Sequence, residues 1–130
     1  MQRLAFLTLV VPDYDAGLVA YVDKLGFDLL EDTDLGGGKR WVRVGPKGGE
    51  TGFLLARAAT PEQTAAIGAQ GGGRVWLFLE TDDFARDHAA FQARGVTFEE
   101  VPRQEPFGTV AVFRDDFGNR WDLIQFAKAA

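Results

Sequence analysis

The sequence predicts an α+β fold made of two tandem βαβββ modules, and three observations support this. An apolar run at residues 4–11, "LAFLTLVV", precedes Asp13 and a helical pattern that ends at Gly26. Asp is a favoured N-cap and Gly a favoured C-cap, so this stretch predicts a strand followed by a helix. The same pattern begins again at Arg74. The length of 130 residues is also enough for one domain with its own core.

Three further strands are predicted after the helix of the first half. The helix itself is indicated by apolar residues at helical spacing, which are Leu18, Tyr21, Val22 and Leu25. "FDLLED" then predicts the second strand, "GGGKRWVRVG" a turn into the third, and "TGFLLARA" the fourth. The first half therefore follows the order strand, helix and three strands.

The second half repeats the first about 70 residues later. "RVWLFLETDDFARDHAAFQARGVTFEEV" aligns with "LAFLTLVVPDYDAGLVAYVDKLGFDLLED", and the alignment pairs Asp13 with Asp83 and Gly26 with Gly95. "GTVAVFRD" and "RWDLIQF" supply the last two strands. Agreement in strand, cap, helix length and terminal glycine favours an internal duplication.

We predict a single domain at 1–130, with module one at 1–58, a linker at 59–73 and module two at 74–130. The linker contains "TPEQ", in which Thr60, Pro61 and Gln63 form a capping box with proline at the first helical position. This pattern predicts a short helix between the modules.

Composition excludes several classes of function. Fourteen Lys and Arg against 19 Asp and Glu give a net charge of −5, which argues against nucleic-acid binding. The absence of cysteine excludes disulfides and thiolate metal sites. We expect no membrane span and no signal peptide, because no long apolar run or basic leader is present. These features favour a cytoplasmic protein.

Two segments resemble a known family. "VVPDYDAGLVAYVDKLGF" and "FRDDFGNRWDLIQF" are similar to the strand-Asp-helix-LGF and F-x-D-P-x-G-N-x-x-E-L patterns of the vicinal oxygen chelate superfamily. This superfamily includes glyoxalases, bleomycin-resistance proteins and extradiol dioxygenases. One departure is Asp116, where the pattern usually has proline. The resemblance implies that the two modules form a concave cleft.

The resemblance also implies positions for metal ligands, commonly two His and two Glu. The histidine positions fall on Phe6 and Trp76, each seven residues before a capping aspartate. One glutamate position falls on Gly52 or Leu54, and the alignment does not choose between them. The other falls on Asp122. We therefore predict no metal and no cofactor.

The lone histidine does not restore a metal site. His88 lies within the predicted second helix, which the resemblance places outside the cleft. A partly exposed helix histidine is the favoured interpretation, and Asp122 is interpreted as an acid that remains from a lost metal site.

The predicted ligand-binding residues are Phe6, Trp41, Trp76, Phe107 and Asp122. The aromatic residues either fill the cleft with core packing or form an apolar floor for a flat organic ligand. In the second case Asp122 would anchor a cationic or hydrogen-bond-donating aromatic group. Strand arginines that point into the cleft would instead meet an anionic group.

The predicted function is metal-independent binding of a small molecule, similar to the bleomycin-resistance branch. The alternative is a divergent superfamily enzyme, either a lyase, isomerase or dioxygenase, or a metal-free enzyme with Asp122 as general base. A third possibility is an interaction or subunit role with a filled cleft. The resemblance further implies a homodimer.

Overall fold

The computed structural model describes residues 1–128, which form two compact units: unit 1 comprises Met1–Ile67 and unit 2 comprises the described residues from Gly68 onward. Each unit contains one mixed sheet and a helix that packs on one side of that sheet. The α+β fold with tandem βαβββ modules is therefore confirmed. The module boundaries at residues 58 and 74 stay predictions. Within residues 1–128, no helix is long and apolar enough to cross a membrane.

Unit 1 contains four strands in the order β1-β4-β3-β2. Its elements are β1 (Phe6–Val11), α1 (Tyr14–Leu18), β2 (Asp28–Gly36), β3 (Lys39–Gly45), β4 (Gly52–Arg57) and α2 (Pro61–Ala66). Strands β1 and β4 are parallel, and the other pairs are antiparallel. Helix α1 continues directly as a π-helical segment, Val19–Lys24. The sequence pattern predicted one regular helix here.

The core of unit 1 lies between α1 and one face of its sheet. Alternate residues of three strands are buried on this face, which are Leu9, Val11, Val42, Val44, Phe53 and Leu55. Gly17 allows the close approach of α1, since a Cβ at this position would lie 2.8 Å from Leu55 Cδ1. The intervening residues occupy the opposite face, which we call the front face of unit 1. It carries Phe6, Thr8, Trp41, Arg43 and Leu54.

Unit 2 contains the strand order β5-β9-β8-β6, with β7 paired to β8. Its elements are β5 (Val75–Glu80), α3 (Phe84–Ala93), β6 (Thr97–Phe98), β7 (Arg103–Glu105), β8 (Gly108–Arg114) and β9 (Arg120–Phe126). The pair β5 and β9 is parallel, as β1 and β4 are in unit 1. No strand was predicted from the sequence at β7.

An aromatic core joins α3 to its sheet. Phe113 is fully buried, with its ring centroid 5.3 Å from that of Phe91 on α3 and 5.7 Å from that of Trp121 on β9. Asp122 and Val112 alternate with these core residues, and Phe78 pairs with Asp122. These three side chains therefore lie on the sheet face opposite α3, which we call the front face of unit 2.

The predicted helix caps are present. The Asp13 side chain accepts a hydrogen bond from Ala16 N at 2.7 Å, and the Asp83 side chain accepts one from Arg86 N at 3.1 Å. Thr60 caps α2 in the same way, by accepting from Gln63 N at 3.1 Å. Each cap satisfies a backbone donor that the helix itself leaves free.

Candidate functional site

Asp115, the first acid of the "FRDDFGN" motif, is used to build a turn. It is 7% exposed, and its Oδ1 accepts hydrogen bonds from the backbone N–H groups of Phe117, Gly118 and Asn119 at 3.0 to 3.1 Å. Its Oδ2 accepts from Asn119 Nδ2 and Trp121 Nε1, both at 3.0 Å. This carboxylate is therefore committed to the turn, which sets where β9 begins.

Strand β9 then presents Asp122 on the front face of unit 2. Its register partners are Phe78 on β5 and Val112 on β8. Asp122 Oδ1 is buried and has no hydrogen-bond partner among the described residues. Burial of a carboxylate oxygen without a donor is unfavourable, so the ionised form of Asp122 lacks the stabilisation that a hydrogen bond would give.

The charges around Asp122 do not neutralise it directly. Burial raises the pKa of Asp122, whereas the positive charges of Arg103 and Arg120 oppose that rise and Glu100 adds to it. Arg120 donates to Glu99 at 2.8 Å, and Arg103 donates to Glu100 at 2.8 Å. Both guanidinium groups are thus hydrogen bonded elsewhere, and Asp122 forms no ion pair within residues 1–128.

Phe78 is the exposed apolar neighbour of Asp122. Its side chain is 67% exposed, although it lies in the middle of β5. Val112, on the other side of Asp122, is only 6% exposed. The arrangement combines an accessible aromatic ring with a carboxylate that has a free acceptor.

A second cluster lies on the front face of unit 1. The rings of Phe6 and Trp41 are perpendicular, with centroids 6.1 Å apart and an interplanar angle of 86°. The guanidinium carbon of Arg43 lies 4.8 Å from the centroid of the Phe6 ring. The half-buried Phe6 ring therefore contacts both the half-buried Trp41 ring and the Arg43 cation.

His88 lies on the helix side of unit 2, as predicted. It is half-buried on α3, with its ring 5.5 Å from that of Phe84 and 4.3 Å from that of Phe98. It borders an open pocket of about 440 Å³. The other residues that line this pocket are Gln92, Phe98, Glu99, Glu100, Val101 and Pro102.

The family is shown by comparison with known proteins. Residues 3–123 match the Glyoxalase/Bleomycin resistance protein/Dioxygenase superfamily. The chain belongs to this superfamily. An uncharacterized protein of Shewanella frigidimarina is 52% identical over 126 residues, which cover 95% of this chain and 93% of the relative.

Solved structures of the superfamily fold agree with this assignment. TnmS3, an antibiotic binding protein from Streptomyces sp. CB03234, is 34% identical, with a TM-score of 0.80 and coverage of 98% of both chains. UcmS2 is 33% identical, with a TM-score of 0.81 and coverage of 95% of this chain and 98% of its own.

The residues at the superfamily's metal-ligand positions do not fit a metal ion. In unit 1, Thr8 pairs with Leu54, just as Phe78 pairs with Asp122 in unit 2, so Leu54 is the counterpart of Asp122. Neither Leu54 nor Phe6 carries a donor atom in its side chain. Across residues 1–128, no group of three or more His, Cys, Asp or Glu residues could hold a metal. One carboxylate is too few protein ligands for a transition metal.

The remaining predicted ligand-binding residues are Trp76 and Phe107. Trp76 falls at an irregularity between Val75 and Leu77, where it has no register partner on β9. Phe107 occupies the turn between β7 and β8, is 48% exposed, and accepts a backbone hydrogen bond from Ala127 N at 2.8 Å. The structure thus brings Phe6 and Trp41 together and leaves the roles of Trp76 and Phe107 as predictions.

Two residues of these faces were not singled out from the sequence. Phe78 is two positions after Trp76 on the same strand, and it is the register partner of Asp122. Because residues two apart on a strand share a face, strand alternation was a signal that could have identified Phe78. Arg43 was only one of several strand arginines that could face a ligand. Its position over the Phe6 ring depends on the pairing of β1, β4 and β3, which the sequence does not state.

Proposed function

We propose that this protein binds a flat organic molecule without a metal ion. The observation that carries the proposal is the half-buried carboxylate of Asp122, which receives no hydrogen bond from the described residues, beside the exposed ring of Phe78. An aromatic ligand that donates a hydrogen bond or carries a positive charge would cover Phe78 and satisfy Asp122 at once. Each contact would replace an unfavourable feature of the free protein.

The superfamily neighbours support a binding role. TnmS3 is an antibiotic binding protein, and this chain matches almost its whole length at 34% identity. Binding requires shape, an apolar surface and a few polar groups. It does not require a set of metal ligands, and no such set is found among the described residues. Phe6, Trp41, Trp76 and Phe107 are proposed as further ligand contacts.

The proposal is tested by titrating the protein with naphthylmethylammonium in a calorimeter. Binding is expected in the wild type and is expected to weaken about tenfold or more in Asp122→Asn, because a charge-assisted hydrogen bond is lost. Phe78→Ala and Trp76→Ala are expected to weaken it through lost stacking. Asp116→Asn is the matched control, since it removes an exposed aspartate from the preceding turn. Equal affinity in Asp122→Asn and the control would contradict the proposal.

The alternative is an enzyme in which Asp122 acts as a general acid or base. The raised pKa of this buried carboxyl group favours that chemistry, because a proton-transfer group works best with a pKa near the working pH. Incubation of a bound ligand in deuterated buffer would test it by nuclear magnetic resonance. Deuterium uptake into carbon positions of the ligand, abolished in Asp122→Asn, would favour an enzyme such as an isomerase or lyase over a binding protein.

We also propose that the chain forms a homodimer and works in the cytoplasm. Strand β2 lies at the edge of its sheet and carries Leu29, Leu30 and Leu35, each about half exposed. Exposed apolar side chains on an edge strand favour association with another chain. Light scattering during size-exclusion chromatography would give the mass directly. A mass of 14.2 kDa at all protein concentrations would contradict the dimer.

A further inference from the structure

Arg43 has more hydrogen-bonding capacity than the chain uses. Its Nε is buried without a partner, and its guanidinium group donates no hydrogen bond to another described residue. The nearest carboxylate oxygen, Glu31 Oε1, lies 3.8 Å from Nη1, which is too far for a hydrogen bond. The buried Nε–H group is out of reach of an external anion, so Arg43 would bind one through the N–H donors of Nη1 and Nη2.

Three other strand arginines, Arg40, Arg114 and Arg120, donate hydrogen bonds to carboxylates. Arg40 donates to both carboxylate oxygens of Asp32, at 3.1 and 2.7 Å, and Arg120 donates to Glu99 at 2.8 Å. Arg114 also donates to Glu99. Arg43 differs from these three because its guanidinium group lies over the Phe6 ring and faces Glu31 at 3.8 Å without a hydrogen bond.

The surroundings of Arg43 suit an aromatic anion. Its side chain is 30% exposed, which leaves the guanidinium group accessible while removing part of its hydration. The Phe6 and Trp41 rings meet at 86° beside it and offer apolar surface to a planar group. Guanidinium and carboxylate groups match in a planar, two-bond geometry.

We propose that the front face of unit 1 binds a carboxylate attached to a flat aromatic ring, with Arg43 as the group that recognises the anion. The carboxylate pairs with the Arg43 guanidinium group, and the ring packs on Phe6 and Trp41. This inference rests on the proposed binding function and names a ligand class for it. It is separate from the donor-bearing group that Asp122 accepts in unit 2.

Glu31 opposes an incoming anion and provides an additional test. One of its carboxylate oxygens faces Arg43 at 3.8 Å, and the other accepts a hydrogen bond from Thr33 Oγ1 at 3.3 Å. Neutralising Glu31 removes a negative charge next to the proposed anion site. Glu31→Gln is therefore expected to strengthen the binding of an anionic probe.

The experiment compares naphthoate, naphthamide and naphthylmethylammonium, all substituted at the same ring carbon. Calorimetric titration is expected to show that naphthoate binds more tightly than naphthamide. Arg43→Gln is expected to remove this difference, because the affinity for naphthoate falls by about tenfold to a hundredfold. In the wild type, naphthoate is also expected to shift the Arg43 Nε–Hε resonance. The affinity for naphthylmethylammonium is expected to depend on Asp122 and to be unchanged in Arg43→Gln.

Arg57→Gln is the matched control. Arg57 also lies on a strand of unit 1 with its guanidinium carbon over an aromatic ring, 5.6 Å from the centroid of Tyr14. Alternation along β4 places it on the side of Phe53 and Leu55, away from the front face. It tests whether loss of any ring-stacked arginine weakens naphthoate binding.

The outcomes separate this inference from the proposed function. A preference for naphthoate that survives Arg43→Gln, or that is lost equally in Arg57→Gln, would overturn the anion assignment and leave the binding function intact. Equal affinity for all three probes would also overturn it. Failure of all three probes to bind would overturn the proposed function, and this inference with it.

Discussion

Asp115 and Asp122 are two acids of the same motif that differ in their hydrogen bonding. Asp115 accepts at least five hydrogen bonds and organises the turn before β9. Asp122, seven residues later, has a buried oxygen that no described residue satisfies. The difference arises from position: one acid lies where backbone N–H groups converge, and the other on a strand whose N–H groups are used in the sheet.

The pH dependence of stability should report the state of Asp122. Burial raises its pKa above the ordinary value of 3.8, so the folded chain binds this proton more tightly than the unfolded chain does. Above the raised pKa, the ionised group therefore opposes folding, and this cost disappears as the pH falls towards 3.8. Asp122→Asn is expected to melt at a higher temperature than the wild type at neutral pH, and the difference is expected to shrink on acidification.

Thermal melts from pH 7 downward would measure this difference, with Asp116→Asn as the matched control. A variant that melts below the wild type at neutral pH would show that Asp122 has a partner that stabilises its ionised form. That result would also remove the main support for an external donor.

At the scale of elements, the predicted internal duplication explains why the same strand pairing and the same helix cap occur in both units. Each unit has a parallel pair between its first and last strands, and each long helix begins with an aspartate cap. The copies diverge at the metal-ligand positions, where Leu54 in unit 1 corresponds to Asp122 in unit 2. The two units therefore share strand pairing and helix caps but differ in the side chains on their front faces.

The turn held by Asp115 should control the stability of unit 2. Asp115→Ala removes the acceptor of the hydrogen bonds that Asn119 and Trp121 donate to this carboxylate, and the loss of each buried hydrogen bond costs about 1 to 3 kcal/mol. We expect the free energy of unfolding to fall by about 3 kcal/mol, measured by urea denaturation. Asp116→Ala, an exposed neighbour in the same turn, is expected to change it by no more than about 0.5 kcal/mol. Equal midpoints for the two variants would contradict this role.

For the whole molecule, the sequence predicted the architecture better than it predicted the site. Caps, terminal glycines and alternation are local signals, so strands such as β1, β5 and β9 and the helix caps could be found from them. The π-helical segment at Val19–Lys24, the short strand β7 and the irregularity at Trp76 depend on how elements pack, which no local pattern encodes. The unused donors of Arg43 are likewise a property of pairing between strands.

Metal independence is a prediction about the whole chain. We expect elemental analysis of tag-free protein, after exposure to zinc, nickel, manganese and ferrous iron, to give well below one metal per chain. The reason is the ligand set: Phe6, Leu54 and Trp76 offer no side-chain atom that binds these cations, and Asp122 alone gives one or two oxygens. Unfolded protein treated in the same way gives the background. A content of one metal ion per folded chain in the wild type, and none in Asp122→Asn, would contradict these assignments. It would also favour the metal-dependent lyase and dioxygenase chemistries of the superfamily.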